Sequence, residues 1–345
     1  MLLASAKTMV RLKDISSRAG CSVMTVSKAL RDAKDISVAT KARIRQLAEE
    51  MGYVPDAAAA GLRTRSMRLL GLIIPTLTNP IFARLVMAIE EWAYQQGYAL
   101  LLLHSHNDAT REDQCIRRLL SRRVDGLFIS PASRMETSVK IYDELQGNGV
   151  PVVILGSRAK FCAGFPCVEG DDATASADVT RHLLELGHRR IAFFAGPQSA
   201  PWALDRFAGY KKALREAKVE FDDRLIFQAG STIEEGEKTA VQFLGEATDA
   251  TAIQAVNDLV AIGVGSLLLQ QGLKIPQDYS LAGFGNILVS EHFRVPLTTV
   301  RQPKFRLGVA AMELMLAKLR GEKAESKRLS ADIVIRQSTA APVKK

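Results

Sequence analysis

From Leu69 onward the chain repeats one pattern, a short run of consecutive apolar residues, a turn, and an amphipathic stretch of helical period. The runs are LLGLIIP, YALLLLHS, VDGLFIS, VPVVIL, RRIAFFAG, RLIFQAG, TAIQAV and YSLAGFG. A strand that is apolar on both sides needs cover on both faces. Helices between successive strands make the sheet parallel, so the pattern dictates an α/β architecture. Eight such strands exceed what one small sheet needs, which predicts two lobes with a cleft between them. The body is expected over 69–338, with an N-lobe over about 69–167 plus return strands over about 298–338, and a C-lobe over about 168–297.

The first fifth of the chain has a different texture. In VRLKDISSRAG, Leu12, Ile15 and Ala19 share one side of a helix, and Gly20 stands where a left-handed C-terminal cap is wanted. Ser22 is placed to cap a second helix at once, with Val26, Ala29 and Leu30 facing inward. Two short helices joined by a glycine turn form a helix-turn-helix, whose second helix is free to enter a DNA major groove. A third helix follows a capping Ser37, carries Ile44, Leu47, Ala48 and Met51, and ends at Gly52. The head domain is expected over 9–54 and a hinge helix and linker over 55–68.

Charge supports a separate head. Residues 1–68 hold thirteen Lys/Arg and six Asp/Glu, a net +7 of the chain's +9. A basic head on a nearly neutral body is the electrostatic form of a phosphate-binding module joined to something else.

Several chemistries lose support. No G-x-x-x-x-G-K-[ST] loop is present, and GFGNIL begins like a dinucleotide fingerprint but lacks its last glycine. Neither G-x-S-x-G nor H-E-x-x-H occurs. Cys21, Cys115, Cys162 and Cys167 show no paired C-x-x-C spacing, and His104 with His106 has no further ligand nearby in sequence, so no metal site is expected. No cofactor is expected either. The N-terminus MLLASAKTMVRLKD has no export-signal order and no apolar run has membrane-span length, which reads as a soluble cytoplasmic protein with no membrane partner.

The segments LKDISSRAGCSVMTVSKAL, GYVPDAAAAGLRTRS, GLIIPTLTNPIF, VDGLFISP, LLELGHRRIAFFAGP, RFAGYKKAL, AVNDLVAIGVGSLLLQQGLKIPQDYSLAGF and PLTTVRQP occur in this order. Together they resemble the LacI/GalR family of bacterial transcription regulators, over about Val10 to Ile335. The resemblance implies an all-α helix-turn-helix head and an α/β two-lobed, periplasmic-binding-protein-like body with parallel sheets. It also implies a homodimer presenting two heads to double-stranded operator DNA.

Site residues follow from the same resemblance. Val23, Met24 and Lys28 would read bases, the apolar pair on thymine methyls and the lysine on guanine O6 and N7. Ser22, Thr25 and Ser27 would hold phosphates. Leu62 matches a hinge leucine that wedges into the minor groove. Phe82, Trp202, Arg206 and Asn257 fall on effector-contact positions, an aromatic face and a forked cation suited to a sugar or related metabolite. Gly156 and Gly285 stand where relatives often carry aspartates, and Thr232 where they often carry an aromatic residue, so the effector is not copied from a relative. A free-standing solute-binding protein would share the body but not the basic head. An enzyme using the cleft would need a nucleophile, base and orienting group that do not converge in the sequence.

Overall fold

The computed structural model describes residues 10–55 and 66–343. Contacts divide the chain into two compact units, with the boundary between Met67 and Arg68.

In the first unit, α1 (Leu12–Ala19) and α2 (Val23–Leu30) flank the glycine turn, and α3 (Val38–Glu50) closes the bundle. Gly20 has φ 64°, a left-handed conformation that only glycine adopts without steric cost, and the Cys21 amide donates back to Ser16 O at 3.3 Å. Ser22 Oγ accepts the Thr25 amide at 3.0 Å, so only three residues, Gly20 to Ser22, separate the two helices. Ile15, Ala19, Val26, Ala29, Ile44 and Ala48 form the core, with Leu12, Leu30, Leu47 and Met51 packed around it. Arg43 Nη2 donates to Ala19 O at 2.8 Å and so ties α3 to the open end of α1. Leu62 lies outside the described residues.

The second unit contains twelve described strands: β1 (Leu69–Ile74), β2 (Ala99–His104), β3 (Gly126–Ile129), β4 (Val152–Leu155), β5 (Cys167–Gly170), β6 (Ile191–Ala195), β7 (Ile226–Gln228), β8 (Ala252–Ala255), β9 (Ser280–Ala282), β10 (Thr299–Arg301), β11 (Lys327–Leu329) and β12 (Asp332–Val334). Between them run α4 (Ile81–Gln95), α5 (Ala109–Ser121), α6 (Lys140–Gly147), α7 (Asp172–Glu185), α8 (Pro201–Glu216), α9 (Ile233–Gly245), α10 (Asp258–Gln270), α11 (Leu288–His292) and α12 (Lys304–Leu319). The N-lobe sheet is parallel in the order β11-β5-β4-β3-β1-β2, and the C-lobe sheet is parallel in the order β7-β6-β8-β9.

The continuous apolar runs have a direct cause. On β1, Leu70, Leu72 and Ile74 enter a core shared with α4 and α12, while Ile73 enters the opposite core with α5 and α6. On β6, Ala192 and Phe194 pack on the α9 and α10 side, and Ile191, Phe193 and Ala195 on the α7 and α8 side. Both faces of β1 and β6 are dry, as side-chain alternation in a doubly covered strand requires.

β5 pairs with β4 and β11, so the N-lobe sheet runs to Gly170, three residues past the approximate limit of 167. The return segment 298–338 is also shared between the lobes. α12 and β11 join the N-lobe, but Ser338 Oγ donates to Leu281 O at 2.5 Å and accepts the Thr298 amide at 2.8 Å, which holds the end of the segment on the C-lobe. β10, which precedes α12, and β12, which follows β11, pair antiparallel. Among the described residues, no helix is long and apolar enough to cross a membrane.

Candidate DNA-reading face and interlobe cleft

On the head, α2 leaves one face uncovered. Val23 is 42% and Met24 63% exposed, two apolar side chains in water next to a closed core that does not use them. Ser22 Oγ and Thr25 Oγ1 lie 2.9 Å apart at the start of the helix, where its unpaired amides favour an anion. Lys28, one turn further on, pairs with Asp35, and that ammonium holds the Asp35 carboxyl below its ordinary range. Ser27 is half-buried beside it. Five of the six expected head residues therefore flank or extend the exposed Met24, and Lys28 carries a counter-ion that the sequence reading did not anticipate.

In the body, loops after β1, β3, β4 and β5 of one sheet and after β6, β7, β8 and β9 of the other surround a cavity of about 250 Å³. It lies beyond the carboxyl ends of parallel strands, where open α/β sheets leave their crevice. Phe82, Trp202, Arg206 and Asn257 all line it. Four residues spread over 176 positions are thus brought to one wall system by the two sheets.

Arg206 is 5% exposed and belongs to a buried network. Its Nε and Nη2 donate to Asp172 Oδ2 at 2.8 and 2.7 Å, and Nη1 donates to Val256 O at 2.8 Å. Its guanidinium carbon lies 4.8 Å from the Trp202 ring centre and 3.8 Å from that of Phe284. Two of its five N–H groups stay outside these bonds. Gly209, one turn along α8, makes the geometry possible: a Cβ there would lie 2.1 Å from Ala173 O, so only glycine lets α8 close on α7. Burial pushes the Asp172 carboxyl above its ordinary range against the pull of Arg206, and Gln302 Nε2 adds a bond to its other oxygen at 3.3 Å.

Asn257 caps α10, its Oδ1 accepting the Val260 amide at 2.8 Å and its Nδ2 donating to Ser231 O at 3.0 Å. Phe82 packs on the N-lobe core and presents its remaining surface to the cavity. Gly156 also lines the cavity, with φ 100° and open space where a Cβ would stand. Thr232 is not among the lining residues: it caps α9 in a reciprocal box with Glu235.

Arg134, Asp172, Phe284 and Lys304 are among the lining residues that sequence reasoning passed over. Asp172 stood next to a capping Asp171 in GDDATAS and carried no separate signal. Arg134 packs on the Phe161 ring and pairs with Glu112, a buried carboxylate that also accepts Tyr142 Oη at 2.9 Å. Among the described residues, no group of three or more His, Cys, Asp or Glu could hold a metal ion.

Comparison with known proteins joins the two units. Residues 11–56 match the model of bacterial regulatory proteins of the lacI family, and residues 68–339 match that of periplasmic binding proteins and the sugar-binding domain of the LacI family. The HTH-type transcriptional repressor CytR of Escherichia coli (strain K12) is 32% identical over 337 residues, 97% of this chain and 98% of its own. A transcriptional regulator CelR–cellobiose complex superposes with a TM-score of 0.72 at 26% identity, covering 96% of this chain and 100% of that one. The lac repressor dimer bound to operator and the anti-inducer ONPF has the same fold, with a TM-score of 0.85 at 24% identity over 97% of this chain and 100% of that one. The chain therefore belongs to the LacI family of bacterial regulatory proteins, DNA-binding regulators and not enzymes.

Proposed function

We propose that this regulator is a repressor that binds a specific operator as a homodimer in the cytoplasm, and that a small carbohydrate or related metabolite in the cleft controls its affinity. The observation that carries the reading is the convergence of Phe82, Trp202, Arg206 and Asn257 on one interlobe cavity. Repression is supported by the likeness to CytR, and a sugar-like effector by the likeness to a regulator bound to cellobiose. The dimer has a candidate face in the edge strand β2, whose Leu101 and Leu102 stand exposed, as do Met87 and Tyr94 of α4. An uncovered apolar edge of this kind calls for a partner.

In this reading Val23 and Met24 meet thymine methyls, Lys28 leaves Asp35 for a guanine, and Ser22, Thr25 and Ser27 take phosphates. Leu62 supplies the minor-groove wedge. In the cleft, Trp202 and Phe82 cover the ligand's apolar faces, while the free N–H groups of Arg206 and the second amide hydrogen of Asn257 donate to its oxygens.

A metabolite screen that follows Trp202 fluorescence and melting temperature tests the cleft. A ligand found this way must also change operator affinity, because the coupling is reciprocal. A ligand whose binding survives both Arg206→Ala and Trp202→Ala contradicts the assignment.

A further inference from the structure

Three carboxylates and three cations line the cavity: Glu169, Asp172, Asp258, Arg134, Arg206 and Lys304. The carboxylates are already engaged by the protein. Asp172 holds Arg206, and Glu169 accepts Arg328 Nε and Nη2 at 2.8 and 2.7 Å. Asp258 accepts Thr299 Oγ1 at 2.5 Å, Ser290 Oγ at 2.6 Å and the Ile287 amide at 3.0 Å. Gln302 Oε1, also on the lining, is a buried neutral acceptor without a hydrogen-bond partner and is open to a ligand hydroxyl, whereas each lining carboxylate already holds a donor of the protein.

The cations divide differently. Arg206 and Arg134 are neutralised by Asp172 and Glu112. Lys304 donates to two neutral groups, Gly285 O at 2.6 Å and Asn286 O at 2.8 Å, and among the described residues no carboxylate lies within ion-pairing distance of it. Arg84 and Arg301 face it with like charge, and Asp258 attracts it from beyond contact range. Two donated bonds leave one ammonium N–H, on a residue that lines the cavity. Position 285, which could have supplied a carboxylate, is a glycine with φ 139° and offers only its carbonyl. A half-buried cation without a counter-ion is costly, and an anion in the cavity would relieve that cost.

We infer that the effector of this cleft carries an oxyanion, a carboxylate or a phosphate, and that Lys304 is the residue that selects it. The inference rests on the proposed cleft and narrows its ligand from sugars in general to acidic or phosphorylated ones. Burial lowers the Lys304 ammonium to about 8, so its charge is present at neutral pH and lost in mild alkali unless a bound anion holds it.

The test uses the full chain with matched probes: glucose against gluconate and glucose 6-phosphate, ribose against ribose 5-phosphate, and inorganic phosphate alone. Calorimetry should find at least one anion that binds ten-fold or more tightly than its neutral partner, and the carboxylate and phosphate arms separate the two sources. Lys304→Met should weaken that anion at least thirty-fold, and Lys304→Arg should keep most of the binding. Wild-type affinity for the anion should fall between pH 7 and pH 9, with melting temperature recorded for every variant. If no anion binds, or if its affinity is the same in Lys304→Met, the inference is overturned. A neutral sugar that binds at least as well and is lost in Trp202→Ala overturns the anion but leaves the cleft standing. An anion unaffected by both Lys304→Met and Trp202→Ala overturns both.

Discussion

Arg206 and Asp172 form a buried ion pair, closed through Nε and Nη2 at 2.8 and 2.7 Å, that is at once a strut between α7 and α8 and part of the ligand cavity wall. Removing one partner leaves the other charged and desolvated. Asp172→Ala is expected to destabilise the body by about 3–5 kcal/mol, and Arg206→Ala by a similar amount. Urea unfolding followed by tryptophan fluorescence measures this. A loss below about 1 kcal/mol would show that the pair is solvated. Ligand loss in Arg206→Ala must accordingly be judged on protein whose folding has been measured.

Lys28 faces a choice between Asp35 and a base edge. Lys28→Ala is expected to relax the preference at one position in each half-site, with a loss of discrimination of about 1–3 kcal/mol there. Binding by a selection panel of duplexes varied one position at a time reads it out. A uniform loss over all positions would instead assign Lys28 to the backbone.

For Leu62, the hinge assignment predicts that Leu62→Ala weakens specific binding by a few kcal/mol at most, the order of one unstacked step, and leaves binding to random duplex nearly unchanged. Gel-shift titrations on both duplexes decide it. Equal losses on the two would remove the wedge.

Two thiols should be silent in the native protein. Cys162 and Cys167 are buried, and desolvation pushes Cys162 up to about 11 and Cys167 above its ordinary value. The thiolate is the reactive form, so neither should alkylate readily at pH 8 until urea unfolds the N-lobe. Mass spectrometry of iodoacetamide-treated protein shows the order of modification. Rapid labelling of Cys162 without denaturant would contradict the packing around α6.

Eight of the strands were legible as apolar runs, most plainly where a strand covered on both faces must be apolar throughout, as Leu70 to Ile74 are. β5 (CVEG) and β10 to β12 (TVR, KRL, DIV) carry no such signature. β11 is a sheet edge and β10 with β12 a separate two-stranded pair, where polar side chains are tolerated, whereas β5 lies inside the sheet but is only four residues long and ends in Glu169 and Gly170. The turn at Gly20 and the cap at Ser22 could be read because each depends on residues within a few positions. Asp172, Arg134 and Lys304 could not, since their meaning comes from partners 34, 22 and 19 residues away, supplied only by the fold. Lys304 in particular reads as an ordinary surface lysine at the start of an amphipathic helix.

The most direct test of the central claim is equilibrium binding of the full chain to a duplex recovered by in vitro selection, set against a random duplex at one fixed physiological salt concentration. A sequence-specific head of this kind predicts a preference of roughly 10³-fold or more for the selected duplex. It also predicts a steep loss of affinity for both duplexes as salt rises, from counter-ions displaced by the basic first unit. Equal affinity for the two duplexes, or a body fragment beginning at Leu69 that binds the selected duplex as tightly as the whole chain, would contradict it.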